Sequence, residues 1–140
     1  MKNKSITVEA RIIAGIGKIW ELWNEPKHIK KWYHASDDWF VPKAENNPKV
    51  GGRFKIAMAA KDKSAGFDFE GTYSSIEKYR LIEYTIDGGR KVKITFEKKG
   101  KSIKVKETFE TENTNPEEMQ RAGWQAILDN FKKYAEKYIK

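Results

Sequence analysis

Alternation of apolar and polar residues is the main pattern along this chain, and it predicts a series of β-strands. From Ser5 to Ile13, from Arg53 to Ala60 and from Arg80 to Asp87, apolar side chains occupy every second position, as in a strand with one buried face. Phe67 to Lys78 predicts a longer strand, in which Gly71 marks a bulge or a point of close approach. Two more strands are predicted by the alternating residues Val92, Ile94, Phe96 and Ile103, Val105, Glu107, Phe109.

In three places the apolar spacing changes to steps of three and four, which predicts helices. Ile16 to Trp23 is the first, and Pro26 ends it and opens a second short helix that runs through Trp32. Pro116 to Lys140 predicts one long amphipathic helix, with acidic residues at its start and lysines at its end. Its predicted apolar face comprises Met119, Gly123, Trp124, Ile127, Leu128, Phe131, Tyr134, Ala135, Tyr138 and Ile139.

Together these elements predict an α+β fold in one domain that spans residues 1–140. Short turns such as Asp87-Gly88-Gly89 join successive strands, which indicates an antiparallel meander. The stretch from Tyr33 to Val50 is the least regular, and we expect a short strand from Trp39 to Lys43 inside a long loop. We therefore predict a curved sheet of roughly seven strands, wrapped around the long C-terminal helix, with two short helices after the first strand. Such a sheet can leave a void beneath the helix.

Composition narrows the class of protein. The chain has 140 residues and no cysteine, which excludes a disulfide framework and thiol chemistry. Met1 precedes a polar run, and no apolar segment approaches the length of a membrane span, so we expect a cytoplasmic protein without membrane insertion. The net charge is +8, but the lysines are spread along the chain without an aromatic–basic motif, which favours a solvated surface over a nucleic-acid partner.

Glu107 is the sharpest candidate for a functional side chain. It takes the inward position on a strand whose other inward residues are apolar. A carboxylate there would lose its hydration, and its pKa would rise unless it were paired. It can act as a polar anchor or a general base in a cavity; alternatively it is a rim residue or forms a structural pair with Arg53, His34 or a lysine.

His34, Asp37 and Asp38 form a second group of candidates in the irregular loop. A histidine beside two carboxylates can serve as an acid/base pair or bind a divalent metal. The alternative is an ordinary loop in which aspartates form turns. Because the chain has two histidines and metal sites need three or four ligands, we expect no metal and no cofactor. We expect His28 to face solvent from its short helix.

The large apolar and aromatic residues are candidate walls of a ligand cavity, with ordinary core packing as the alternative for each. Buried hydroxyls at Tyr73 and Tyr84 would need hydrogen-bond partners. The candidates are Trp20, Trp23, Phe54, Met58, Phe69, Tyr73, Tyr84, Phe96, Trp124, Leu128 and Phe131.

Four motifs, in order along the chain, resemble those of a known family. Trp23 to Tyr33 resembles its tryptophan–proline–tryptophan segment, and Val50 to Phe54 its glycine-pair strand opening. Phe69 to Tyr73 is similar to its central strand, and Gly123 to Phe131 to its last-helix signature. The family is the SRPBCC group, within the START-like and birch-pollen-allergen-like superfamily. Within it the chain resembles single-domain relatives of the C-terminal domain of the chaperone ATPase activator.

This resemblance implies a helix-grip fold and an apolar cavity, which relatives use for lipids, sterols, polyketides or flavonoid-like molecules. Some relatives are cyclases or hydrolases, but the family has no universal catalytic motif, so no catalytic residue is carried over. Three hypotheses follow: binding of a hydrophobic or aromatic small molecule, acid/base catalysis in the same cavity, or interaction with a protein partner such as a chaperone. We expect a monomer or a weak dimer, since an exposed edge strand can support pairing.

Overall fold

A computed structural model describes residues 4–138 of the chain. It contains one seven-stranded antiparallel sheet in the order β1-β7-β6-β5-β4-β3-β2. The strands are β1 (Ser5–Ile12), β2 (Trp39–Asn46), β3 (Arg53–Ala60), β4 (Gly66–Glu77), β5 (Leu81–Ile86), β6 (Lys91–Lys99) and β7 (Ser102–Glu110). The helices are α1 (Ile16–Asn24), α2 (Pro26–Trp32) and α3 (Glu117–Tyr138). The predicted fold class is thus confirmed.

Alternation along the strands puts one apolar face of the sheet against the helices. The register sets Glu107 of β7 opposite Val8 of β1 on one side and Ile94 of β6 on the other. All three side chains are buried, since directly paired residues point to the same side of a sheet. The ladder therefore holds a carboxyl group between two aliphatic neighbours.

Two local irregularities shape the far half of the sheet. In β4 the register shifts between Tyr73 and Ser75, so the bulge is not at Gly71. Gly71 is instead the point of close approach, because a Cβ atom there would lie 2.7 Å from the Thr85 carbonyl oxygen and 2.8 Å from the Phe54 ring.

The other irregularity makes β2 longer than the sequence predicts. The strand continues past Lys43 to Asn46, and its last residues pair with β3. A register shift between Phe40 and Lys43 accommodates Pro42, which has no backbone N–H to donate to a ladder.

Helix α3 packs against β1 and the two short helices, but its buried face is narrower than predicted. Met119 is 60% exposed, whereas Leu128 and Phe131 are fully buried. Met119 and Leu128 are nine positions apart, which at about 100° per residue puts them on opposite sides of the helix. Tyr138, in the last described turn, is also exposed. Ile139, a predicted member of the apolar face, and Lys140, the predicted helix end, lie outside the described residues.

His28 departs from its predicted position. It is buried rather than solvent-facing, because α2 lies between α1 and the C-terminal half of α3. Its ring lies 5.9 Å from that of Tyr134 and 5.1 Å from that of Tyr138. A seven-residue helix is too short for its apolar period to show which side is covered.

Candidate functional site

A cavity of about 270 Å³ lies between α3 and the inner face of the sheet. Its apolar walls come from strands β3 and β4 and from the first half of α3. Its polar residues come from β7, the β5–β6 turn, the β7–α3 connection and the helix start. This volume is just below the range of about 300–1,000 Å³ typical of ligand pockets. The lining residues are Tyr33, Met58, Phe67, Phe69, Arg90, Glu107, Glu112, Asn115, Gln120, Trp124 and Ile127.

Gln120 fixes the polar side of this cavity. Its side-chain amide donates to the carbonyl oxygens of Asn115 at 2.8 Å and Glu112 at 3.1 Å. The amide oxygen in turn accepts from the backbone N–H of Glu112 at 3.0 Å. These bonds tie the connection after β7 to the first turn of α3, so the cavity has a defined edge rather than a free loop.

A smaller cavity of about 30 Å³ lies deeper in the sheet and has room for one or two water molecules. It shares Tyr33, Phe69 and Glu107 with the larger cavity. Its other lining residues are Trp23, Ile29, Trp32, Asn46, Phe54, Ile56, Tyr73, Tyr84 and Ile94. The Glu107 carboxyl therefore lies at the boundary between the two spaces.

Glu107 is 4% exposed, which confirms its predicted inward direction. Among residues 4–138 no hydrogen bond or ion pair to its carboxyl is found, and burial raises its pKa to about 8. Its proposed pairing partners are engaged elsewhere: Arg53 contacts Asp87 at 2.7 Å, and His34 lies beside Asn130. At neutral pH Glu107 is thus mainly an uncharged carboxylic acid, able to donate one hydrogen bond.

Three tyrosines line the smaller cavity together with this acid. Burial raises the pKa of Tyr33 and of Tyr84, and the nearby Glu107 raises both further. The two tyrosines also affect each other, since Tyr33 raises the pKa of Tyr84 and Tyr84 lowers that of Tyr33. Burial also raises the pKa of Tyr73, whose hydroxyl donates to Asn46 Oδ1 at 2.5 Å. The polar groups at the cavity floor are therefore neutral near pH 7 and can donate protons in hydrogen bonds.

Tyr33 is the main site residue that the sequence patterns missed. It follows the last residue of α2, and its ring stacks near Phe69 with centroids 6.0 Å apart. Strand alternation cannot indicate its direction because it lies outside any strand. The only sequence signal is its place at the end of the Trp23 to Tyr33 motif.

The predicted wall residues divide into two groups. Seven line a cavity: Trp23, Phe54, Met58, Phe69, Tyr73, Tyr84 and Trp124. The other four, Trp20, Phe96, Leu128 and Phe131, line neither cavity. Trp20 packs edge-on to Phe96 at 5.3 Å, and Leu128 and Phe131 are fully buried core residues of α3.

The loop candidates lie away from both cavities. His34 and Asp37 border a surface groove beside α3, and Asp38 is exposed, with its backbone carbonyl accepting from Lys61. The Asn130 side-chain amide donates to His34 Nε2 at 3.1 Å. Burial lowers the pKa of His34, with Lys61 acting in the same direction and Asp37 against it. Because His34 lies away from both cavities, its side chain cannot orient a molecule that lies beside Glu107.

A curved antiparallel sheet closed by one long helix defines the helix-grip class of the SRPBCC type. The chain belongs to the family described as Activator of Hsp90 ATPase homolog 1-like protein, whose family model matches residues 14–136. A comparison with curated proteins found no match. Within residues 4–138, none of the helices is long and apolar enough to cross a membrane.

Solved structures agree with this assignment. An AHSA1-like protein from Aeromonas hydrophila is 42% identical, with a TM-score of 0.91, over 96% of this chain and 94% of that one. A protein from Cytophaga hutchinsonii is 51% identical, with a TM-score of 0.83, over the same shares of the two chains, 96% and 94%. A protein from Chromobacterium violaceum, 21% identical, has a TM-score of 0.85 over 95% of this chain and 98% of that one, a likeness of fold alone.

Proposed function

We propose that this protein binds a compact, largely apolar molecule that carries an aromatic ring, in the 270 Å³ cavity beneath α3. The observation that carries this proposal is a buried, uncharged carboxylic acid, Glu107, at the floor of a space walled by aromatic and aliphatic side chains. Among the ligand classes implied by the resemblance, the volume favours polyketide-like or flavonoid-like molecules over sterols and long-chain lipids.

The walls supply affinity and the floor supplies orientation. Trp124 stacks on Phe109 with centroids 4.2 Å apart and planes 8° from parallel, so its ring is held in place before a ligand arrives. Apolar contact against Trp124, Phe69 and Met58 contributes roughly 25 cal/mol per Å² that the ligand buries. The Glu107 acid then donates to a carbonyl or hydroxyl oxygen of the ligand, which gives the carboxyl the partner it lacks within the described chain.

The test is an amide-shift titration of labelled protein by NMR against lipids, sterols, flavonoids and polyketide-like aromatics. We expect saturable shifts at Met58, Phe69 and Glu107 and along residues 124–127. A library-wide absence of saturable shifts would contradict the proposal.

A matched pair of variants on α3 separates binding from folding. Trp124→Ala removes a cavity wall and should weaken binding at least about tenfold as well as lower stability. Leu128→Ala, one turn further along, removes a fully buried side chain that lines neither cavity. It should cost about 2–5 kcal/mol of stability and leave affinity unchanged. Equal affinity losses in the two variants would mean that the ligand does not contact Trp124.

A second candidate, acid/base catalysis in the same cavity, is favoured by the pKa of Glu107. A group with a pKa of about 8 is mostly protonated at neutral pH, yet its pKa is close enough to neutral pH for the group to give up its proton. Glu107→Gln should then abolish turnover of a bound compound while binding persists. Retained turnover in that variant would remove Glu107 from the mechanism.

A protein partner is a third candidate, suggested by the family description, which refers to an activator of a chaperone ATPase. The chain carries a net charge of +8, so we propose an acidic surface on that partner. Binding should weaken as ionic strength rises, and equal affinity at low and high salt would contradict an electrostatic interface.

A further inference from the structure

A second cluster of polar groups lies where α1 meets α2, beside the C-terminal half of α3. Glu21 and Glu25 are four positions apart, so they lie on the same side of α1 and its C-cap. His28 follows three positions later, in the first half of α2. One oxygen of each carboxylate and one ring nitrogen all lie within 4.8 Å of one another.

The histidine in this cluster is buried and incompletely bonded. Its side chain is 5% exposed, and among residues 4–138 neither His28 Nε2 nor Glu25 Oε2 has a hydrogen-bond partner, although both atoms are buried. Nε2 lies 3.5 Å from Glu25 Oε2 and 3.7 Å from Glu21 Oε2. These distances are long for a hydrogen bond, whose N···O separation is about 2.7–3.2 Å. Buried polar atoms rarely remain unbonded, because each costs about 1–3 kcal/mol.

The other ring nitrogen fixes the direction of the imidazole. His28 Nδ1 and the Tyr134 hydroxyl are 2.7 Å apart, and the Tyr138 ring packs edge-on against the imidazole at 5.1 Å. A histidine that binds a metal through one nitrogen usually makes such a hydrogen bond with the other. Nε2 is therefore held pointing at the two carboxylates.

The spacing of these atoms fits a small divalent cation. Zinc binds imidazole nitrogen and carboxylate oxygen at about 2.0–2.2 Å, and tetrahedral geometry then separates neighbouring ligand atoms by about 3.3–3.5 Å. The two nitrogen–oxygen distances, 3.5 and 3.7 Å, exceed this spacing by a few tenths of an ångström at most. The two carboxylate oxygens lie within 4.8 Å of each other, and the partly exposed Glu21 and Glu25 side chains can move closer together around an ion. Two carboxylates would neutralise the charge of the ion.

We propose that Glu21, Glu25 and His28 bind one Zn²⁺ ion, with a fourth position open to water. Lys18 is the competing cation, because its Nζ lies 3.4 Å from Glu21 Oε2 and 5.6 Å from the centre of the Tyr138 ring. Its side chain is 41% exposed, so it can turn into solvent when the ion binds. The ion would join α1 to α2, next to the Tyr134 and Tyr138 side chains of α3.

The experiment titrates metal-free protein with Zn²⁺ in competition with a chromogenic chelator, and repeats it with Co²⁺, whose visible absorption reports coordination geometry. We expect one ion per chain and a tetrahedral Co²⁺ spectrum. His28→Gln and Glu25→Gln should each weaken zinc binding at least about 100-fold. Tyr134→Phe removes the hydrogen-bond partner of His28 Nδ1 and should weaken zinc binding about tenfold, which is the lower end of the range for residues that orient a metal ligand. Lys18→Met should strengthen binding because it removes the competing charge.

His34→Gln is the matched control, since it changes the other histidine of the chain and should leave zinc affinity unaltered. If His28→Gln does not fold, the Glu25→Gln variant carries the test, because that side chain is about half exposed. Equal zinc affinity in wild type and Glu25→Gln would overturn the proposal. So would the absence of zinc binding by the wild-type protein.

Discussion

The buried carboxyl of Glu107 should make the stability of this protein fall as the pH rises from 5 to 7. In the unfolded chain the group has an ordinary pKa of 4.5, whereas in the folded state burial raises the pKa to about 8. Below pH 4.5 both states hold the proton, so the group causes no pH-dependent loss there. Between the two pKa values only the unfolded state releases it, which favours unfolding.

The size of this loss follows from the interval between the two pKa values. Each pH unit inside that interval costs about 1.4 kcal/mol, so between pH 5 and pH 7 the loss is about 2.5 kcal/mol. It levels off above pH 8. Because the side chain is 4% exposed, solvent screening does little to reduce it.

The assay is urea denaturation at pH 5, 6, 7 and 8 for wild type, Glu107→Gln and Glu45→Gln. Glu107→Gln cannot ionise, so its free energy of unfolding relative to wild type should rise by about 2.5 kcal/mol between pH 5 and pH 7. Any constant cost of burying an amide is the same at each pH and drops out of this comparison. Glu45 is exposed at the end of β2, and its variant should run parallel to wild type. Parallel curves for wild type and Glu107→Gln would refute a buried, uncharged Glu107.

Two further predictions test local packing, each read from the free energy of unfolding in urea. Gly71→Ala should destabilise the fold by about 1–3 kcal/mol, because its Cβ would meet the Phe54 ring at 2.8 Å. Gly123→Ala is its control, since nothing lies within 4 Å of the new atom, and it should stabilise α3 by up to about 1 kcal/mol. A larger loss of stability in Gly123→Ala than in Gly71→Ala would contradict this account. Tyr73→Phe should cost about 1–2 kcal/mol because it removes the 2.5 Å bond to Asn46, and a loss below about 0.5 kcal/mol would show that water replaces the hydroxyl.

Strand periodicity explains why much of the sheet could be predicted from the sequence. Arg53–Ala60 matches its predicted bounds, because alternation and flanking turns both signal where such a strand begins and ends. The β2 strand was underestimated because Pro42 and Asn46 favour loops locally, whereas pairing with β3 decides their conformation. Tertiary contacts of this kind leave no local signal.

Glu107 and His28, both buried and ionisable, show where such prediction succeeds and where it fails. On β7 the side chains alternate from Ile103 onward, so the inward direction of Glu107 follows from its neighbours alone. His28 lies on a two-turn helix, and its burial depends on α3, which joins it through Tyr134 more than a hundred residues later. On a strand, the alternation of neighbouring residues indicates whether a side chain is buried. On a short helix, burial is known only once the element that packs against it is known. Candidate sites on short helices are therefore found from the assembled structure, and both candidate sites in this protein depend on α3 for one wall.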